Sequence, residues 1–397
     1  MEDKQPSGKS FRFVAPLMKF CTIFGMCPPV FPRNSDQPLS FLWYKMYSCF
    51  IGISSVAVTI FVMYKKENTS GPIASVHAAN TFAHCALTLT CLVMLVSLVY
   101  GKSKGSALKK MFEAMDDIDE KLKFDSFSIR KQMYIGVTIY IVLIVVYVVY
   151  DAVTWTLLLG ISWYILYMPK TIQICQFSLG MLLPMALLSL IYLRIKGFNK
   201  ALRHYSKVNF SQISCYSLNE QRQFFFKEMC HMHTDLFQMV KSFNRIFGIV
   251  LLFGTLMAIG LILHYIVILL VYFEFNTELK GQSNHYVLAQ CITGILIPAL
   301  QVLALANVGD RVSFEAGKTS NITMVLLNKF PSHGTTEVEK AIYVELKTLV
   351  MQCSFRNIQI TAKRFFSVNH TLLGVLLSSM VSYIIIIVQF LSMNNEQ

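Results

Sequence analysis

The stretch from Val368 to Phe390, near the end of the chain, reads VNHTLLGVLLSSMVSYIIIIVQF and contains no Asp, Glu, Lys or Arg. It is long and apolar enough to cross a lipid bilayer as one helix, which takes about 20 residues. Its polar positions recur at intervals of seven, four and seven residues, which places them on one helical face: Thr371, Ser378, Ser382 and Gln389. A small, polar stripe of this kind either lets helices pack closely or lines water.

Six further stretches of similar length and hydropathy precede this one, and the composition of the whole chain agrees with them. Of its 397 residues, 54% are hydrophobic and only 14% are charged, with a mean hydropathy of +0.52. Soluble proteins carry nearer 25% charged residues, so a soluble fold lacks a polar surface here. We therefore predict an all-α membrane protein with seven transmembrane helices, at 44–64, 73–100, 133–159, 171–193, 246–273, 286–308 and 368–390.

Basic residues decide the orientation of these seven spans. With seven spans, 31 of the 35 Lys and Arg residues fall on one side of the membrane. The positive-inside rule then predicts a cytoplasmic N-terminus and an extracellular C-terminus. G-protein-coupled receptors have the opposite orientation, which disfavours that class. The net charge of +13 has the same origin and indicates anionic inner-leaflet lipid rather than nucleic acid as the partner.

The segments between the spans predict how the chain is organised. Stretches 105–125, 220–243 and 336–353 have apolar residues every three or four positions, so several membrane helices are expected to continue into the cytoplasm. These apolar faces either form a bundle within one subunit or join subunits to each other. The predicted regions are a cytoplasmic segment 1–43, a six-helix ligand-binding bundle 44–308, a cytoplasmic anchor 309–367, a pore-lining helix 368–390 and an extracellular tail 391–397.

No enzyme motif and no cofactor motif is apparent in the sequence. It has no phosphate-binding loop, no His-Glu-x-x-His pair and no nucleophile elbow. The run Cys230-His231-Met-His233 suggests a metal site only at first sight, because residues two apart on a helix point to different faces. The start of the chain lacks an early apolar run and is not expected to be a signal peptide.

Polar and aromatic residues in the outer halves of the spans are the candidate ligand-binding group. Asp151 is the only acid within a predicted span, and burial of a carboxylate in a membrane is costly. Acids, amides and aromatic faces together suit a polar small molecule through hydrogen bonding and stacking. The alternative is an interfacial aromatic belt with polar groups that pair one helix with another. The candidates are His77, Asn80, Tyr150, Asp151, Trp155, Tyr286 and Gln290.

The last helix also resembles a known family. Ser382-Tyr383, five aliphatic residues and Gln389-Phe390 closely resemble the Thr-Tyr-hydrophobic₅-Gln-Phe signature of insect gustatory receptors. The preceding residues 365–373 fit the same part of that family. Glu315-Ala-Gly-Lys318-Thr319 also resembles its Glu-x-x-Lys-Thr element. Ser382 stands where the family usually has Thr and keeps the hydroxyl group.

The resemblance implies a ligand-gated, non-selective cation channel, assembled as a homotetramer or as a heterotetramer with related receptors. Such a protein lies in the plasma membrane of chemosensory neurons, and a tastant or nutrient opens a central pore lined by the seventh helices. The implied pore residues are Ser378, Ser382, Tyr383, Gln389 and Phe390, with the last two at the constriction. No cofactor is implied.

The identity of the ligand stays open at the level of sequence. Asp151-Ala-Val-Thr-Trp155 resembles an Asp-x-x-x-Trp element of sugar-sensing relatives, but those relatives tend to carry Trp near the start of the sixth helix, where this chain has Gln290. The alternatives to a channel are a G-protein-coupled receptor and a membrane transporter. Many transporters contain internal repeats, and none is visible here.

Overall fold

The structure, a computed structural model, describes residues 9–27, 38–67, 74–100, 104–122, 127–207, 216–275, 283–329 and 337–395. These parts of the chain are almost entirely helical. In chain order the helices are α1 (Lys9–Ile23), α2 (Pro38–Glu67), α3 (Ala74–Leu95, continued by a π-helical turn, Val96–Tyr100), α4 (Lys104–Lys121), α5 (Phe127–Leu159), α6 (Ile161–Lys207), α7 (Tyr216–Phe275), α8 (Ser283–Lys329), α9 (Glu337–Phe355) and α10 (His370–Asn395).

The predicted all-α membrane architecture is confirmed. By length and composition, six of the described helices can cross a membrane, namely α2, α3, α5, α6, α7 and α8. The seventh predicted span lies in α10, where the apolar stretch His370–Ile386 belongs to a helix of 26 residues. At about 1.5 Å per residue this helix is ~39 Å long, which exceeds the ~30 Å hydrocarbon core. The orientation of the two termini stays a prediction.

Several helices are much longer than a membrane is thick. Helix α7 has 60 residues, and α6 and α8 have 47 each. At about 1.5 Å per residue α7 is ~90 Å long, so most of its length lies outside a ~30 Å hydrocarbon core. This confirms the expectation that membrane helices continue beyond the bilayer. His231 on α7 is exposed and His233 is buried, so the two point to different faces, as their spacing predicts.

The apolar faces of these extensions are buried within the chain. Helices α4 and α9 both pack against α7. The side chains at these contacts include Met115 of α4, Met232 of α7 and Leu346 of α9, and all three are completely buried. Of the two alternatives for these faces, the structure therefore contains the bundle within one subunit.

Helix α1 was not expected from the sequence. It begins a proline-rich part of the chain and contains Pro16, yet it packs an apolar face against α4 and α6. Its first turn is held by the buried guanidinium of Arg194, which donates to Ser10 Oγ at 2.7 Å and to Asp119 Oδ2 at 2.6 Å. The buried face of α1 comprises Phe13, Val14, Leu17, Met18 and Cys21.

A short hairpin leads into α10. Strands β1 (Thr361–Ala362) and β2 (Phe366–Ser367) pair antiparallel, with Ala362 opposite Phe366. The turn between them is closed by a hydrogen bond from Phe365 N–H to the carbonyl oxygen of Ala362, 3.0 Å long. From this hairpin α10 runs back along α8 and α7.

Candidate functional site

Asp151 on α5 is the centre of a buried polar cluster. Its side chain is 5% exposed, and three donors from three helices reach its carboxylate. Trp155 Nε1, one turn further along α5, donates to Oδ1 at 3.0 Å, and Gln290 Nε2 of α8 donates to the same oxygen. Thr171 Oγ1 of α6 donates to Oδ2 at 2.5 Å. The carboxylate therefore joins α5, α6 and α8 at this level.

A second group of polar side chains borders this cluster. Tyr147 of α5 and Tyr265 of α7 share a hydrogen bond between their hydroxyl groups, 3.0 Å long. The ammonium of Lys170 lies 3.2 Å from His264 Nε2 and 5.4 Å from the centre of the Tyr265 ring. A cation over an aromatic face is held by the quadrupole of the ring. The ammonium of Lys170 and the carboxylate of Asp151 thus border the same space between the helices.

Most members of both groups border a small space between α5, α6, α7 and α8, with a volume of about 20 Å³, which is room for one water molecule. Gln290 is 4% exposed, and its Oε1 has no hydrogen-bond partner among the described residues. A buried acceptor without a partner is energetically unfavourable and favours a bound donor. The lining residues are Tyr147, Asp151, Trp155, Lys170, Thr171, Ile174, Tyr265, Ile268 and Gln290.

The predicted ligand-binding residues divide into three groups in the structure. Asp151, Trp155 and Gln290 come together at the cavity. Tyr150 is half-buried, but it is not among the residues that line this space. The backbones of the remaining three lie in α3 and α8, but their side chains are outside the described part of the structure: His77, Asn80 and Tyr286.

Sequence reasoning missed several of the lining residues. Thr171 opens the fourth predicted span, Lys170 directly precedes it, and Tyr265 lies deep in the fifth. One signal was available for Lys170. It is one of only four basic residues on the outer side, and it lies near the level expected for Asp151. Lys170 and Asp151 come close together because of how α5 and α6 are aligned along their axes, and no sequence pattern predicts this alignment.

The two alternatives for the outer-half polar residues are both represented here. Asp151 pairs with Thr171 and Gln290 across helix boundaries, as the helix-pairing alternative requires. The same residues border an open space with an unpaired acceptor, as a binding site requires. The contacts across helices are observed, and ligand contact by these residues stays a prediction.

Helix α10 has two distinct faces. Leu372 is buried and Leu376, Met380 and Ile384 are half-buried at four-residue intervals, which marks the side that packs against the bundle. At about 100° per residue the polar stripe is centred almost opposite this side. Its members Thr371, Ser378, Ser382 and Gln389 are all exposed. The prediction that these residues share a face is confirmed, and that face points away from the rest of the chain.

The hydroxyl groups on this face are compatible with an apolar environment. Ser382 Oγ donates to the carbonyl oxygen of Ser378 at 3.1 Å, and Ser379 Oγ donates to that of Val375 at 2.9 Å. Tyr383 is 56% exposed. Phe390 continues the helix, and its side chain lies outside the described part of the structure.

The Glu-x-x-Lys-Thr element of α8 forms a buried hydrogen-bond network with Asn199 of α6. Asn199 of α6 donates from Nδ2 to the backbone oxygen of Glu315 at 2.7 Å and to its Oε2 at 3.0 Å. In return Asn199 Oδ1 accepts from Thr319 Oγ1 at 2.6 Å, and Lys318 pairs with Glu315 at 2.7 Å. The motif therefore has a structural role in this chain, because every polar member is satisfied inside it.

Comparisons with solved structures agree with this architecture. The insect olfactory receptor OR5 from Machilis hrabei in complex with eugenol is similar to this chain with a TM-score of 0.69, covering 96% of this chain and 99% of that one at 11% identity. A second structure of the same receptor gives a TM-score of 0.65 at 11% identity and covers 96% of this chain and 98% of that one. No curated protein sequence matches the chain significantly.

The sequence itself matches a family over almost its whole length. The profile described as 7tm Chemosensory receptor matches residues 14–394, which includes every predicted span and the terminal signature. The resemblance to insect gustatory receptors is thereby confirmed at the level of this family. The chain belongs to the family of seven-transmembrane chemosensory receptors and is a multi-pass membrane receptor, not an enzyme.

Proposed function

We propose that this receptor is a ligand-gated, non-selective cation channel whose pore is lined by α10. The observation that carries the proposal is the position of the stripe Ser378, Ser382 and Gln389, on the side of α10 opposite its packing face. In a symmetric assembly around a central axis, such a face turns towards the axis and its polar groups line water. Gln389 and Phe390, at the outer end, form the constriction.

The ligand of this channel is a small molecule that binds at the space around Asp151, which widens to admit it. Gln290 Oε1 needs a donor, and Trp155 and Tyr265 offer aromatic surface, so the ligand carries a hydroxyl or amino group and a ring or flat face. An insect olfactory receptor of the same fold was solved in complex with eugenol, which supports a small-molecule site in this architecture. The ligand is a tastant or nutrient of this type.

Helix α8 connects the cavity with the pore helix. Near its outer end, Gln290 contacts Asp151, and a Cβ at Gly294 would lie 2.5 Å from the Tyr265 ring. Further along, a Cβ at Gly309 would lie 2.2 Å from the carbonyl oxygen of Val368, just before α10 begins. A ligand that binds the open arrangement better shifts α8, and α8 then shifts the base of α10.

Assembly into a tetramer is supported by the surface of the single chain. On α10 the side chains Val375 and Leu377 are each 63% exposed, and Phe355 at the end of α9 is 85% exposed. Apolar surface of this extent next to polar groups marks contacts with lipid or with other subunits. Segment 309–367 is the anchor between subunits, 44–308 the ligand-binding bundle and 368–390 the pore, in the plasma membrane of chemosensory neurons.

The decisive experiment is expression of the chain alone in a non-sensory cell. Membrane current is recorded against a panel of sugars, bitter compounds and amino acids, first in whole cells and then in excised patches without GTP. We expect unitary cation currents that persist in excised patches. A response that needs GTP would indicate a G-protein-coupled receptor, and transport without unitary openings would indicate a transporter. Either result contradicts the proposal.

A further inference from the structure

Three basic side chains come together where three predicted spans reach the inner side of the membrane. Lys104 follows the second span, Arg245 directly precedes the fifth, and Lys363 lies five residues before the seventh. The charge bias predicts all three positions at the cytoplasmic surface. This is the level at which phospholipid headgroups meet the protein.

The contacts that bring these basic residues together are made by one turn of α7, residues 244–248. Lys104 Nζ donates to the carbonyl oxygen of Ile246 at 2.8 Å and to Ser97 Oγ at 2.8 Å. From the other side, the hairpin turn rests on Gly248, where a Cβ would lie only 2.9 Å from the backbone nitrogen of Lys363. Residue 248 can therefore only be glycine if the hairpin is to approach so closely.

The side chain of Asn244 fixes the hairpin in this position. Its Nδ2 donates to the carbonyl oxygen of Gln359 at 2.9 Å, and its Oδ1 accepts from Thr361 N–H at 3.1 Å. Burial, with the positive charges of Lys363 and Arg245, lowers the pKa of Lys104 to about 8. Lys363 and Arg245 thus both act on this lysine as cations, and like charges gathered at one surface attract an anion.

The turn itself carries cations at positions where other residues fit better. Lys363 and Arg364 have φ angles of 52° and 67°, in the left-handed region that favours glycine and asparagine. Both side chains are exposed, so the turn presents two positive charges at this surface.

We propose that Lys104, Arg245 and Lys363 bind the phosphorylated headgroup of an anionic phospholipid of the inner leaflet. The bound headgroup neutralises the three cations and ties the hairpin to α7 and α4, so it holds the base of α10 in place. The proposal concerns binding to the folded receptor and does not depend on whether the chain conducts ions. It adds a lipid site at the inner surface to the small-molecule cavity in the outer half.

The test is a titration of the purified full-length receptor in detergent with dioctanoyl phosphatidylinositol bisphosphate, followed by thermal unfolding. Dioctanoyl phosphatidylcholine, inositol trisphosphate and inorganic phosphate are titrated in parallel. We expect the anionic lipid to raise the melting temperature by a few degrees, and phosphatidylcholine to leave it unchanged. Lys363→Gln and Arg245→Gln should each weaken the apparent affinity about fivefold or more, whereas Lys363→Arg retains it.

Lys347→Gln on α9 is the matched control, because it removes one charge from an exposed lysine elsewhere on the chain. An equal loss of affinity in that variant would mean general charge attraction and would overturn the site. Unchanged affinity in Lys363→Gln, or no shift in the unmodified receptor, would also overturn it. If inositol trisphosphate or phosphate binds as tightly as the lipid, the partner is a free phosphate, and the assignment to the membrane is wrong.

Discussion

At the scale of single residues, Asp151 is both a structural hub and a part of the cavity. Its carboxylate accepts from Trp155, Thr171 and Gln290, and a hydrogen bond to a charged group contributes about 1.5–3 kcal/mol to stability. Removing the carboxylate takes away the acceptor that all three donors share, two of which, Thr171 and Gln290, are buried. Removing one donor leaves the other two bonds in place. A variant without the carboxylate therefore tests the role of Asp151 in folding, and a variant without one donor tests the role of that donor in ligand binding.

We therefore predict opposite outcomes for Asp151→Ala and Trp155→Phe. The alanine variant should lose surface expression and several degrees of melting temperature, because α5, α6 and α8 lose their shared acceptor. The phenylalanine variant keeps the aromatic face, should reach the surface in nearly normal amounts and should respond at least several-fold more weakly to the activating compound. Surface labelling and dose–response curves check both. Normal expression of Asp151→Ala with loss of the response would assign the carboxylate to ligand binding alone.

The buried Asn199 gives a second prediction at this scale. Its amide donates twice to Glu315 and accepts from Thr319, and the residue is 2% exposed. Asn199→Ala leaves the Glu315 carboxylate with fewer donors, so it should destabilise the receptor by about 2–3 kcal/mol. Lys200→Ala, at the neighbouring exposed position, is the control and should leave the melting temperature nearly unchanged. Equal melting temperatures for the two variants would show that this hydrogen-bond network does not stabilise the contact between α6 and α8.

Single residues also show how far sequence reasoning reaches. Asp151 could be found because an acid within an apolar span is rare and costly. Gln290 was predicted in the same candidate group, but its contact with the carboxylate, like that of Thr171, depends on the relative translation and rotation of two other helices. The role of Asn199 was hidden for the same reason, although the element it binds was recognised in the sequence.

At the scale of helices, two glycines on α8 offer a matched pair of substitutions. A Cβ at Gly309 would lie 2.2 Å from the backbone oxygen of Val368, whereas a Cβ at Gly317 would meet nothing within 4 Å. Gly309→Ala should therefore push the base of α10 away from α8, lower the melting temperature and change the open fraction at a given ligand concentration. Gly317→Ala should have little effect on any of these. Thermal unfolding and current recordings report the two effects separately.

Matching behaviour of the two glycine variants would contradict close contact between α8 and the start of α10. A change in stability without a change in gating would instead restrict this contact to a packing role. Only a change in gating supports the proposal that ligand binding near Asp151 shifts α8 and that α8 then moves the pore helix.

The two faces of α10 give a second prediction at this scale. In the assembled channel the exposed Ser382 should line water, whereas the half-buried Met380 faces the bundle. Ser382→Cys should react with a small, charged thiol reagent applied in the presence of the activating compound, and the reaction should change the current. Met380→Cys is the control and should stay unmodified. If neither cysteine reacts in the open state, α10 is a packing helix and the pore lies elsewhere.

The helices themselves were largely predictable, because length and hydropathy suffice to find a membrane span. Period-three-and-four apolar patterns also located α4 and α9 and the long extension of α7. Helix α1 was missed, since Pro16 and the prolines that follow it obscure an apolar face that becomes visible only against α4 and α6. The hairpin before α10 was missed because two-residue strands leave no periodic pattern.

At the scale of the whole molecule, the helices differ in how much of them the chain itself covers. In the most hydrophobic part of α6, 89% of the residues are buried, compared with 22% in α2 and 17% in α5. Helix α6 is therefore the centre of the bundle, and α2 and α5 face lipid or neighbouring subunits. An apolar helix placed at the periphery is stable only where a bilayer or another chain surrounds it. The membrane is thus part of the fold.

Topology is the last prediction, and it follows from the distribution of charge over the entire chain. Because 31 of 35 basic residues lie on one side of seven spans, that side should face the cytoplasm, with Met1 inside and Gln397 outside. An epitope tag after Gln397 should stain on intact cells, and a tag before Met1 should stain only after permeabilisation. The reverse pattern would place the long extensions of α6, α7 and α8 outside the cell and move the Asp151 cavity to the inner half of the membrane. Staining of both tags on intact cells would mean an even number of spans and would refute the seven-span topology.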